Sequence, residues 1–251
     1  MIKTNLRKKL LDSLSFRHRR LFITAVNYFK TIGRSADLNL LAVVLKTDKW
    51  GHHFYTEHYK THFEKLRNKP IKLLEIGVGG YDHPQQGAGS LRMWKRYFNK
   101  GQIYALDIYD KSQLEESRIK IFKGSQNDLD FLQEVVDQTG KFDLIIDDGS
   151  HMNQDVLTSF DFLFSQLKEG GIYVVEDTQT SYWPEYGGDS LELNQKYTMM
   201  GYFKSLVDGL NHEEFKINGY SPTYWDRNIA SIHFYHNLVF IHKAKGLNLN
   251  N

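Results

Sequence analysis

Two pairs of acids and one histidine stand out by position. Asp147-Asp148 and Glu176-Asp177 each close a short, mainly apolar run, residues 142–146 and 172–175, and His151 follows Asp148 by three positions. Such runs read as central strands of an α/β sheet, which are covered on both faces and need not alternate. Between them, residues 153–167 carry Val156, Phe160, Leu163, Phe164 and Leu167 on one helical face, with Gly170-Gly171 as the expected stop. A strand, a crossover helix and a second strand make parallel neighbours. Both acid pairs are therefore expected at one carboxyl edge, where open α/β sheets bind ligands. Four carboxylates and an imidazole should converge there, all able to accept protons or hydrogen bonds. Acids at strand ends also serve as helix caps and solvated turns, so spacing alone leaves both roles open.

Further candidates precede this unit. An expected strand at 71–76, containing Glu75, runs into Gly77-Val78-Gly79-Gly80, where missing side chains permit positive φ and close backbone approach to a ligand. The spacing is not GxGxxG, and the insert through Pro84 and Gly87 delays the next helix to about Ser90, a reasonable N-cap. A second strand, 102–106, ends in Asp107, whose carboxylate can accept two hydrogen bonds from a ribose diol. A third, 118–122, leads to Ser125, Gln126 and Asn127, which can read an adenine edge or simply cap the helix predicted over 129–139.

These candidates need a frame, and 251 residues suffice for one α/β domain with an appendage. The steps amount to a doubly wound, Rossmann-like, mostly parallel sheet. Residues 229–244 add a C-terminal antiparallel hairpin hinged at His236-Asn237, and a helix is expected over 191–210. Residues 1–45 form an expected helical N-terminal extension and 46–251 the main domain. RKK at 7–9 and RHRR at 17–20 alternate with Leu10, Leu14, Phe22, Val26 and Phe29, which suits a packing or oligomerising helix, or one that meets a membrane surface or a partner. Residues 47–66 hold Trp50, Phe54, Tyr55, Tyr59 and four of the eleven histidines. His58 and His62 share a helical face, but the glutamate of the zinc-protease pattern is missing, so an aromatic cover over the pocket is the preferred expectation.

With Lys+Arg 32 against Asp+Glu 30, no general case arises for nucleic-acid binding. Zero cysteines exclude disulfides and thiolate sites and suit a reducing, cytoplasmic compartment. The apolar run 38–45 is far short of the roughly 20 residues of a membrane span.

The closing hairpin after five β/α steps is the plan of class I S-adenosylmethionine methyltransferases. The strings EIGVGGYDHP, GAGSLRMWKRYF, IYALDIYDKS, GSQND, FDLIIDDGSH and GGIYVVEDTQTSYW, preceded by TDKWGHHFYTEHY, resemble the sugar O-methyltransferases of the macrolide and tetracenomycin type over about residues 47–210. The resemblance implies transfer of a methyl group from S-adenosylmethionine to a sugar hydroxyl of a glycosylated metabolite or surface-polysaccharide precursor. It implies Asp148, Glu176 and Asp177 as ligands of Mg²⁺, with Mn²⁺ as the alternative ion, and His151 as general base. It further implies Glu75, Gly77 and Gly79 beside the methionine moiety, Asp107 at the ribose, and Ser125, Gln126 and Asp147 at the adenosyl end. Three carboxylates packed together repel, and a divalent cation is the simplest way to keep them ionised. A Rossmann-fold oxidoreductase or hydroxylase is the competing enzyme class, though a 2-His-1-carboxylate iron triad would need a second well-placed histidine. A non-catalytic nucleotide-binding module would not need the full acid cluster.

Overall fold

The computed structural model describes residues 15–246. Helices α1 (Phe16–Lys30), α2 (Leu38–Leu45) and α3 (Thr56–Phe63) precede β1 (Lys72–Ile76), α4 (Gly89–Tyr97), β2 (Gln102–Asp107), β3 (Ile119–Lys123), α5 (Leu129–Thr139), β4 (Phe142–Asp147), α6 (Asn153–Leu163) and β5 (Leu167–Glu176). After α7 (Met199–Ser205) and α8 (Tyr224–Asn228), strands β6 (Ile229–Tyr235) and β7 (Leu238–Lys243) form the hairpin. The sheet order is β3-β2-β1-β4-β5-β7-β6, parallel except where β7 runs antiparallel to β5 and β6. The order reverses between β1 and β4, which opens the crevice expected of a doubly wound sheet.

Strand alternation sorts the core. Leu73, Ile103, Leu144, Ile146 and Val174 face α2, α3 and α4, while Leu74, Ile145, Tyr173 and Val175 face α5, α6 and α7. Leu38, Leu41 and Ala42 of α2 are buried in the first of these layers, so this part of the N-terminal extension packs with the main domain. RKK 7–9, Leu10 and Leu14 lie outside the described residues. Of the apolar residues expected on one face of this helix, Phe22 and Phe29 of α1 are exposed and Val26 is half-buried.

Several local expectations change. Gly170-Gly171 does not end a helix: α6 stops at Leu163, a 3₁₀ turn follows, and the glycines lie inside β5 at a register shift against β4. Gly170 has φ +70°, and a Cβ on Gly171 would stand 3.0 Å from the Asp143 carbonyl oxygen. Ser90 is not an N-cap, because α4 begins at Gly89 behind Ala88 in the left-handed region. The helix expected over 191–210 is broken. The Asp189 carboxylate takes the amides of Leu191 and Glu192 in a turn, and Thr198 caps α7 only afterwards by accepting from the Gly201 amide.

Candidate active site

The loops after β1, β2, β3 and β4 surround a cavity of about 770 Å³ at the carboxyl edge. Its walls include Gly77, Gly79, Asp107, Ser125, Gln126, Asp148, His151 and Asp177. Gly77 turns at φ +95°, where a Cβ would lie 2.1 Å from the Asp148 carbonyl oxygen, so this glycine lets the β1 and β4 loops meet. Gly79, at φ +75°, has open space where its side chain would be. Asp107 is held by two backbone donors, the Val78 amide at 3.0 Å and the Tyr109 amide at 2.9 Å. Each carboxylate oxygen retains a further lone pair for a ligand.

Also lining the cavity, Asp148, His151 and Asp177 bring ligand atoms within 4.8 Å of one another. His151 Nε2 is 4.0 Å from Asp148 Oδ1 and 3.7 Å from Asp177 Oδ2. His151 (φ 57°) and Asp177 (φ 53°) both occupy the left-handed region, a conformation that costs non-glycine residues energy and clusters at functional sites. The Thr180 hydroxyl steadies the first by donating to the His151 carbonyl at 2.8 Å. Asp177 Oδ1 accepts from the Tyr55 hydroxyl at 2.7 Å, and burial followed by the Asp177 charge pushes that phenol's pKa far up.

Glu176 is bound differently from its neighbour. Lys49 Nζ donates to Glu176 Oε1 and Oε2 at 2.6 and 2.8 Å and to Asp148 Oδ2 at 2.9 Å, and the Tyr59 hydroxyl also donates to Glu176. Burial opposes the Lys49 charge, but Asp148, Glu176 and Glu75 together outweigh it and hold its pKa above the usual lysine range. Sequence reasoning missed Lys49. Its local sequence, Asp48 before it and Trp50 after it, carries no signal for burial.

Like Glu176, two further expected site residues lie behind the cavity wall rather than in it. Alternation places Glu75 on the Leu73 face, fully buried, with Lys49 Nζ 3.7 Å away, and burial raises its pKa to about 7. Asp147 faces the other layer, where its carboxylate accepts from Ser159 at 2.7 Å, Tyr173 at 3.3 Å and Gln126 at 3.2 Å. Gln126 reaches the wall, yet its amide is engaged: Nε2 serves Asp147 and Ser159, and Oε1 accepts the Ser150 amide at 2.8 Å. The pair braces the β4 loop. Ser125 does line the cavity, with its hydroxyl donating to Asn127. The four acids thus do not converge. Of the segment 47–66, Thr47 and Asp48 line the cavity and His53 Nε2 comes within 3.8 Å of Asp177 Oδ1, while the aromatic Tyr55 and Tyr59 are buried in the core instead of covering the pocket.

No protein-family model matches the chain. It is 51% identical over 210 residues to demethylmacrocin O-methyltransferase of Streptomyces fradiae, covering 83% of this chain and 53% of that protein. It is 46% identical over 204 residues, 81% of this chain and 53% of the relative, to the 8-demethyl-8-alpha-L-rhamnosyl tetracenomycin-C 2'-O-methyltransferase of Streptomyces olivaceus. A solved structure of the MycE methyltransferase of the mycinamycin biosynthetic pathway, in complex with Mg, SAH and mycinamycin VI, superposes with TM-score 0.80 at 48% identity, over 83% of this chain and 54% of that one. The chain spans about half the length of the curated relatives it matches. Over that stretch it is homologous to the sugar O-methyltransferases of the macrolide and tetracenomycin type and shares their class I methyltransferase fold.

Proposed function

We propose that this protein transfers a methyl group from S-adenosylmethionine to a hydroxyl of a sugar carried by a small glycosylated metabolite or a polysaccharide precursor, with a magnesium ion at the acids. One observation carries the reading: His151 Nε2 lies 4.0 Å from Asp148 and 3.7 Å from Asp177 at a cavity that the glycine turn and Asp107 also line. The relatives named above add the reaction class.

The residues fit both groups. The donors at the acid wall are carboxylate oxygens, the set that hard divalent ions prefer, and the chain already holds a cation, the Lys49 ammonium, between Asp148 and Glu176. Asp148 and Asp177 would hold the ion, with Glu176 as third carboxylate when Lys49 yields it. Bound there, the ion would supply Lewis acidity toward the sugar hydroxyl, and S-adenosylmethionine an already activated methyl. The chain's own work is positioning. Asp107 accepts from the ribose diol, Gly77 and Gly79 let the cofactor approach the backbone, and Ser125 lies toward the adenosyl end. His151 Nε2 takes the proton of the acceptor hydroxyl, and the carboxylates 3.7 and 4.0 Å away stabilise the resulting imidazolium.

The test is formation of S-adenosylhomocysteine by the purified chain given S-adenosylmethionine, Mg²⁺ and glycosides with vicinal hydroxyls. Binding of NAD in place of S-adenosylmethionine would return the reading to the oxidoreductases. No helix among the described residues is long and apolar enough to cross a membrane.

A further inference from the structure

Away from the cavity, three histidines meet on one face of the terminal hairpin. In the β6–β7 register Ser231 pairs with His242 and His233 with Phe240, so His233 and His242 are diagonal neighbours on the same side. That side packs against α3, whose His62 ring stacks on Phe240 at 4.1 Å and lies 4.8 Å from the His233 ring and 5.0 Å from the His242 ring. One ring nitrogen from each lies within 4.8 Å of the others, and all three side chains are half-buried. His242 is opposite Ile172 on β5, whereas Glu176 is opposite Leu238, so the cluster sits well back along the strand from the acids.

We propose that His62, His233 and His242 form a binding site for a borderline divalent metal ion, Zn²⁺ above all, separate from the carboxylate site. Three imidazoles with an open fourth position are a set that zinc accepts, and Mg²⁺ does not favour it. The outer hydrogen bonds are in place. His62 Nε2 lies 3.0 Å from the Tyr235 hydroxyl and His233 Nε2 3.0 Å from Ser231 Oγ, the kind of second contact that fixes ring orientation in metal sites. His62 Nδ1 and His242 Nε2 face each other at 2.9 Å, so one proton is shared between two ring nitrogens. A metal ion replaces that proton. Zn–N bonds of about 2.0–2.1 Å in tetrahedral geometry space the ligands by roughly 3.3 Å, which needs side-chain shifts of about 1 Å from the present positions. The ion would pin α3 to the hairpin, and α3 also carries Tyr59, which donates to Glu176.

The experiment titrates the full chain with Co²⁺ and Zn²⁺ in excess Mg²⁺, using wild type, Asp148→Asn, and the single variants His62→Gln, His233→Gln and His242→Gln. One equivalent should bind wild type and Asp148→Asn alike, with the visible spectrum of low-coordinate Co²⁺ and a rise in Tm. Each glutamine variant should lose at least about 10- to 100-fold in affinity, the loss that even an outer partner's removal brings. X-ray absorption at the zinc edge should show three imidazole nitrogens, which keeps the test valid if one variant folds poorly. No binding in wild type, binding lost in Asp148→Asn but kept in the histidine variants, or an all-oxygen zinc shell would overturn the proposal.

Discussion

The Lys49 ammonium grips both carboxylate oxygens of Glu176, at 2.6 and 2.8 Å, across 127 positions of sequence, and both side chains are buried. Lys49 also bonds Asp148, so one cation ties the β4 and β5 ends together. Removing one partner of a buried pair leaves the other charge without compensation, which typically costs about 3–5 kcal/mol. Lys49→Met should lower the unfolding free energy by about that amount, and Mg²⁺ should restore more stability to the variant than it adds to wild type. Urea melts with and without Mg²⁺ measure both. A variant as stable as wild type would mean that the pair does not hold this edge.

Much of the frame was readable because its signals are local. The apolar runs, the crossover helices and the final hairpin each lie within a dozen or so residues, and the parallel order follows from the connections. Asp147 and Asp148 differ in role although adjacent, and strand alternation could have separated them: Asp147 continues the face of Ile145, and the brace it forms with Gln126 and Ser159 lies there. Lys49 was harder to find. Its partners are 99 and 127 positions away, and a lysine between Asp48 and Trp50 reads locally as a solvated charge. The same distance hid the histidine cluster, whose His62 and His242 are 180 positions apart.

Asp147 makes a pH prediction with a definite sign. Burial raises its pKa in the folded protein to about 6 from 3.8. The folded state therefore holds the proton more tightly than the unfolded chain, and this contribution is complete below about pH 3.8 and lost as pH rises through about 6. A gap of about two pH units corresponds to about 3 kcal/mol. Asp147→Asn should remove this component, so the stability difference between wild type and variant should shift by up to that amount between pH 4 and 7. Urea midpoints at a series of pH values give the two curves, and parallel curves would contradict the assignment.

Asp107 should decide cofactor affinity. Replacing it by alanine removes acceptors for both ribose hydroxyls and frees the Val78 amide that it holds. The expected loss is on the order of 2–3 kcal/mol, or roughly 30- to 150-fold in S-adenosylmethionine affinity by calorimetry. Asp107→Asn keeps one acceptor oxygen and should lose less. Equal affinity in all three proteins would put the ribose elsewhere.

The division of labour between acids and histidine is the most searching test of the site. His151 Nε2 is 3.7 Å from Asp177 and 4.0 Å from Asp148, close enough to be either a base beside a cation or a ligand of it. Its ring shares a cavity wall with both acids, while Glu176 sits behind them with Lys49. Asp148→Asn and Asp177→Asn should each abolish turnover with S-adenosylmethionine binding nearly intact, and EDTA should do so reversibly, because the ion would touch the acceptor rather than the cofactor. Glu176→Gln should lose turnover and, through Lys49, stability as well. His151→Ala should keep the metal and lose roughly 10²- to 10⁴-fold in turnover, the usual contribution of a positioned base, with part of the rate returning at high pH as the acceptor hydroxyl ionises unaided. Metal content by elemental analysis separates the two roles. If His151→Ala loses its ion as completely as the aspartate variants do, the imidazole is a ligand and the proton must leave by another route.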